Sequence, residues 1–160
     1  RVCIATAVSL RPAVVLADEP TGALDVIVQR RIMQTLRRLQ EKLGMAVLLV
    51  GHDMGLMAQA TDRIGVMYAG RLVETGPTAD VFRDPAHPYT RLLVASIPSL
   101  RGRGMPAGIP GAPPSLLEPP PGCLFRDRCP DRTERCGTAA PRMREIARGR
   151  SAACWRGTGN

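Results

Sequence analysis

Aromatic residues are nearly missing from this 160-residue chain, which has one Trp, two Tyr and two Phe. So few rings exclude the interleaved aromatic and basic side chains on which single-stranded nucleic acid stacks. Lysine is scarcer still. Lys42 is the only one among 22 cationic residues, so the net charge of +8 rests on arginine. No run approaches the roughly 18 consecutive apolar residues of a membrane span, and no basic-then-apolar leader opens the sequence. The expectation is a protein that is soluble, or peripheral to a membrane it does not cross. No Gly-x-x-x-x-Gly-Lys phosphate loop occurs, and no Cys-x-x-Cys pair. The length suits one domain or slightly more, enough for a real core.

What is present centres on Ala13-Val14-Val15-Leu16-Ala17-Asp18-Glu19-Pro20. Five apolar residues in a row predict a strand buried on both faces of a parallel sheet. Two carboxylates then stand at its carboxyl end, where such sheets bind ligands. The first of such a pair can hold Mg²⁺, directly or through water, and the second can orient or deprotonate a water attacking a phosphate. A strand followed by a solvated acidic turn accounts for the same residues without chemistry.

The rest of the chain reads in order. Arg1 to Leu10 predicts a short helix, broken by Arg11-Pro12. Asp25 is placed as a helix N-cap. Val28, Ile32, Leu36, Leu39 and Leu43 form an apolar stripe on a helix from about Val26 to Leu43 that Gly44 stops. Arg30, Arg31, Arg37, Arg38 and Lys42 on its other faces read as a solvated surface. Met45 to Val50 predicts a second buried strand, ending in Gly51-His52-Asp53, with Asp53 capping a helix Met54–Thr61. A third strand, Ile64–Tyr68, turns at Ala69-Gly70 into Arg71–Glu74 as an antiparallel hairpin. Thr78 is placed as the cap of a helix Thr78–Arg83. The alternation of strand and helix predicts an α/β fold with a mostly parallel sheet. From Pro98 to Gly122, crowded Pro and Gly predict a linker. The expected organisation is 1–97, a Pro/Gly-rich linker 98–122, and a cysteine-rich tail 123–160.

Cys123, Cys129, Cys136 and Cys154 are separated by five, six and seventeen residues, while Cys3 stands apart in an apolar helix and is expected to be buried. In a reducing compartment, clustered thiols point to a metal rather than to disulfides. The spacing weakens a zinc ribbon. Four thiolates suit a [4Fe–4S] cluster, with zinc or free thiols as alternatives. With few hydrophobic residues in 123–155, metal ligation would supply much of that segment's folding energy.

Asp18-Glu19-Pro20-Thr21-Gly22-Ala23-Leu24-Asp25 resembles the Walker B segment and D-loop of ABC-type ATPases, and Gly51-His52-Asp53 falls where that family has its switch histidine. Arg1 to Ala7 is similar to the helix that follows the family's signature sequence. His87-Pro88-Tyr89-Thr90-Arg91-Leu92-Leu93 and Ile109-Pro110-Gly111-Ala112-Pro113-Pro114-Ser115-Leu116 resemble strings of the oligopeptide/dipeptide importer branch, whose members also close on a four-cysteine tail. The resemblance implies the C-terminal part of a P-loop ATPase domain. Asp18 would hold Mg²⁺ through water, Glu19 would activate the attacking water on ATP, and His52 would contact the γ-phosphate. Asp25 would communicate across the ATPase dimer, and the four cysteines would carry an iron–sulfur cluster. The implied partners are membrane-embedded permease subunits, a second ATP-binding subunit in a homo- or heterodimer, and indirectly an extracytoplasmic peptide-binding protein, with no nucleic acid. The implied place is the cytoplasmic face of the membrane. The chain opens inside a motif, so the expectation is a C-terminal portion of a longer protein. On this reading the full-length parent hydrolyses ATP and the 160 residues alone do not. Two other classes, an ABC ATPase acting on nucleic acid and a metal-binding module with a vestigial ATPase half, fit fewer of these strings.

Overall fold

A computed structural model describes residues 2–22, 24–97 and 108–156 of the chain. It divides into two compact units, Arg1–Thr61 and Asp62–Asn160. Residues 98–107 of the expected linker lie outside the described residues, as do Ala23 of the loop and the last four residues of the tail.

The first unit is built on two parallel strands, β1 (Val14–Asp18) and β2 (Ala46–Val50), paired from Val14↔Ala46 to Asp18↔Val50. Helix α1 (Val2–Val8) precedes them and α2 (Val26–Leu43) connects them. The predicted ends of α2 hold: the Asp25 carboxylate accepts the N–H groups of Ile27 and Val28, and Gly44 closes the helix at φ 64°. Asp53 caps α3 (Met54–Ala60) in the same manner through Leu56 N–H. Val15, Ala17, Leu36, Met45 and Met57 are buried.

Two expectations fail in this unit. The first strand is buried on one face only: Val15 and Ala17 point inward, while Leu16 on the opposite face is 73% exposed. Strand β2 alternates likewise, with Leu48 opposite Leu16 and also exposed. An uninterrupted apolar run therefore did not mean two covered faces. Cys3 is exposed too, because no residue of α1 is buried.

The second unit corrects the mostly parallel sheet. Its four strands are antiparallel in the order β3-β4-β6-β5, comprising β3 (Arg63–Tyr68), β4 (Arg71–Pro77), β5 (Arg144–Ala147) and β6 (Arg150–Ala152). The first two make the predicted hairpin. Ala69 at φ 48° and Gly70 at φ 76° supply the two positive angles that a two-residue turn of matching twist requires. Pairing of Glu74 with Ala152 and Thr75 with Ser151 brings the end of the chain into the same sheet. Two helices follow the hairpin, α4 (Thr78–Arg83) and α5 (Pro88–Ala95). Pro77, not Thr78, occupies the cap position of α4, with no side-chain hydrogen bond there. A one-turn helix, α6 (Arg135–Thr138), lies in the tail. No helix among the described residues is long and apolar enough to cross a membrane.

The scarce aromatics are concentrated here. Tyr68, Tyr89 and Phe125 meet pairwise with ring centroids 4.7 to 5.4 Å apart, in tilted and edge-on arrangements. Phe125 is 1% exposed and packs with Val66, Val73 and Val81. The tail thus contributes to a hydrophobic core, contrary to the expectation that it has little of its own. Arg128 ties the Ile109-Pro110 string to this cluster, donating to the carbonyls of Ile109 (2.9 Å) and Pro110 (2.8 Å) and to the Tyr68 hydroxyl.

Beside the cluster, Glu74 is fully buried. Its carboxylate accepts the N–H groups of Ala86 and His87, each at 2.9 Å, and faces Arg150 of β6 at 3.4 Å. A buried carboxylate needs such partners, and here they come from a loop and a strand distant in sequence.

Candidate functional site

Parallel pairing of β1 and β2 puts their carboxyl ends side by side, and the chain leaves both there. Glu19 N–H donates to Val50 O at 2.9 Å, extending the ladder by one residue. The backbone of Glu19 then turns into the left-handed region at φ 41°. A non-glycine residue there is strained, and such strain gathers at functional sites. A turn closed by Gly22 N–H on Glu19 O follows at 2.9 Å. From the neighbouring strand end, His52 directs Nδ1 to Oε1 of Glu19 at 2.8 Å. Both side chains are more than half exposed. A cleft of about 100 Å³ is lined by Glu19, Thr21, Gly22, Gln29, Gly51 and His52, among others.

Of the residues singled out in the sequence, Glu19 and His52 are brought into contact. Asp18 ends β1 with its side chain on the exposed face. Asp25 is used as the α2 cap, held by two backbone donors. Gln29 was not anticipated. Its Nε2 donates to Thr21 O at 3.2 Å and so ties α2 to the turn after Glu19. The only hint was its place one turn beyond the cap, from which a helical side chain leans back toward the N-terminal loop.

Mg²⁺ characteristically takes one or two carboxylates and completes its shell with water and substrate phosphates. An exposed carboxylate on a strand end, as Asp18 presents, fits that demand.

The cysteine expectation fares differently. The turn at Gly122, with φ 81°, allows Cys123 N–H to donate to Cys136 O at 2.8 Å, and a Cβ at Gly122 would lie 2.3 Å from that same oxygen. Burial pushes the thiols of Cys123 and Cys154 up, and each is raised further by its neighbours, Cys136 among them. Burial likewise raises Cys129, opposed by a hydrogen bond from the Asp131 backbone and aided by the neighbouring charges of Asp131, Cys154 and Cys123. The four cysteines therefore share one neighbourhood as free thiols. Among the described residues, however, no three His, Cys, Asp or Glu side chains form a group that could hold a metal ion. The [4Fe–4S] cluster on Cys123, Cys129, Cys136 and Cys154, and zinc as its alternative, is not supported. Phe125 and its apolar neighbours supply the packing that ligation was expected to provide.

His87 acts structurally. It is 2% exposed and caps α5, with Nδ1 accepting Tyr89 N–H at 3.0 Å. Burial lowers its pKa to about 4.

Comparison with known proteins gives this geometry its context. Over nearly its whole length the chain is a relative of the ATP-binding proteins of peptide transport. It is 43% identical to the dipeptide transport ATP-binding protein DppD of Escherichia coli, covering 96% of this chain and 47% of that protein. It is 42% identical to DppD of Bacillus subtilis, covering 97% and 47%, and 44% identical to the oligopeptide transport ATP-binding protein OppD of Salmonella typhimurium, covering 98% and 47%. Residues 73–136 match the family described as the oligopeptide/dipeptide transporter, C-terminal region. The chain spans about half the length of the curated relatives it matches. Among solved structures, cbiO1 of Clostridium perfringens, part of the ABC transporter complex cbiONQ, is 28% identical with a TM-score of 0.49, covering 59% of this chain and 36% of that one.

Proposed function

We propose that this chain forms the hydrolytic side of an ATP site in the ATP-binding subunit of an ABC importer for peptides. The observation that carries this reading is the 2.8 Å contact between His52 Nδ1 and Glu19 Oε1 at the adjoining ends of two parallel strands. Glu19 holds and deprotonates the water that attacks the terminal phosphate. His52 fixes the Glu19 carboxylate through Nδ1, and its Nε2 reaches the γ-phosphate. Asp18 holds Mg²⁺, which supplies neutralisation of charge on the phosphates. Gln29 and the Gly22 turn keep Glu19 in its strained backbone conformation. Asp25 lies in the segment that communicates with a second ATP-binding subunit. Residues 1–97 are then the C-terminal part of the ATPase domain, 98–122 a linker, and 123–160 an importer-type tail. The assembly works beneath permease subunits at the membrane and serves a peptide-binding protein on the far side.

The test is Mg-ATP hydrolysis by the complete ATP-binding subunit carrying these residues. Glu19→Gln keeps the size of the side chain and removes its base. Hydrolysis is expected to fall by roughly 10²–10⁴-fold with nucleotide binding retained. A rate within about threefold of the unmodified protein would overturn the assignment of Glu19.

A further inference from the structure

Between residues 126 and 156, nine arginines stand against four carboxylates. Most are engaged within the fold. Arg126 and Arg128 donate to backbone carbonyls, Arg132 pairs with Asp127, Arg150 with Glu74 and Asp84, and Arg156 with Asp131. Arg135 and Arg144 differ. Both are exposed, and among the described residues neither has a carboxylate within ion-pair distance. Their partner is Trp155, whose ring centre lies 3.8 Å from the guanidinium carbon of Arg135 and 5.6 Å from that of Arg144. The indole is itself anchored, its Nε1–H donating to Ala139 O at 3.1 Å.

Two like charges are thus gathered on one ring, whose negative face offsets part of their repulsion. Stacking uses the faces of a guanidinium and leaves its in-plane N–H donors turned outward for oxyanions. Arg142 and Met143, also exposed, adjoin Arg144 in the chain. These residues line neither the cleft at Glu19 nor a second cavity, of about 40 Å³, bordered by Tyr68, His87 and Phe125, so they suit a broad array of anions rather than one enclosed ligand. Nucleic acid would want a free aromatic face on which to stack a base, and the single tryptophan is already covered by arginine. A membrane offers what the patch lacks: a plane of phosphate charge with an apolar layer beneath, where Trp and Arg side chains are at home.

We propose that the Arg135–Trp155–Arg144 face of the second unit docks on the anionic phospholipid headgroups of a membrane surface. The proposal goes beyond the ATPase reading and does not depend on it. The probe is vesicles of phosphatidylcholine alone or with about 30% phosphatidylglycerol, mixed with the 160-residue chain at about 0.1 M salt. Trp155 is the only tryptophan, so its emission reports from the patch itself. Sedimentation with anionic but not neutral vesicles is expected, with a blue shift of that emission and release at about 0.5 M salt. The double variant R135Q/R144Q is expected to bind at least tenfold more weakly, at roughly fivefold per arginine lost. R135K/R144K, which keeps the charge, is expected to bind within about threefold of the unmodified chain. R30Q/R31Q, the same charge change on the exposed face of α2, should bind as the unmodified chain does. An equal loss in R30Q/R31Q would mean bulk charge and overturn the docking face. Equal binding to neutral vesicles would overturn it, as would no binding to either. Capture of duplex oligonucleotide that R135Q/R144Q abolishes, with vesicles ignored, would assign the patch to nucleic acid instead.

Discussion

His52 and Glu19, 33 positions apart in sequence, touch through Nδ1 and Oε1 at 2.8 Å because β1 and β2 run in parallel and end together. Neither strand end would carry the pair alone. The two side chains should therefore act as one unit. In the complete ATP-binding subunit, His52→Ala is expected to lower hydrolysis by roughly 10²-fold or more. Adding it to Glu19→Gln should cost little further, because groups that act together are strongly non-additive. Multiplicative losses in the double variant would show that the two residues work independently.

Glu74 is expected to be the most sensitive single position of the second unit. Glu74→Ala leaves two buried backbone N–H groups without an acceptor and takes from Arg150 one of its two carboxylate partners, Asp84 remaining, a loss of about 3–5 kcal/mol. Glu74→Gln keeps one acceptor oxygen and should cost less, about 1–3 kcal/mol. Urea unfolding of both variants gives the comparison. Near-equal stability of Glu74→Ala and the unmodified chain would refute the role of this buried clamp.

Acid should weaken the fold through His87. Its folded pKa, about 4, lies below the ordinary value of 6.5, so the unfolded chain binds the proton more readily. The neutral imidazole contributes its full stability above about 6.5, and that contribution is lost as pH falls toward 4, by up to about 3 kcal/mol. Below that, Asp131 adds a further loss, since its hydrogen bond and charge pairing with Arg91, and then Arg156, hold its carboxyl below the usual range. His87→Asn keeps a capping acceptor and removes the titration. Its stability between pH 7 and 4.5 should be flatter than that of the unmodified chain. Parallel curves would reject the assignment.

Thiol reactivity separates the five cysteines. Cys3 is exposed, whereas burial raises the thiols of Cys123, Cys129 and Cys154 and lowers their thiolate fraction. A thiol reagent near pH 8 should meet one fast group and slower ones behind it, and Cys3→Ser should remove the fast phase. Uniform kinetics in the native chain would contradict the burial of the tail cysteines.

Local signals were legible where local chemistry decides the outcome. Asp25 and Gly44 bound α2 because a cap oxygen and a left-handed glycine act within one turn. The contact of Glu19 with His52 was legible in kind, since two apolar runs ending in polar triplets imply adjacent strand ends. What the sequence hid depends on distant partners. Nothing near Leu16 says that one face of β1 stays open, and nothing near Ala152 says that it pairs with Glu74. Nor did one phenylalanine among arginines and cysteines announce a core residue. Phe125 became one because Tyr68 and Tyr89 were brought to it from 57 and 36 positions away.

The pairing of β6 with β4 also sets a schedule for synthesis. The hairpin of β3 and β4 emerges from the ribosome well before its outer neighbour β6, which follows only after the whole stretch between Pro77 and Arg150. At roughly 5–20 residues per second, β4 waits several seconds with one row of N–H and C=O groups unpaired. A waiting edge is an invitation to other nascent chains. Premature termination before Arg150 would leave that edge open for the lifetime of the product.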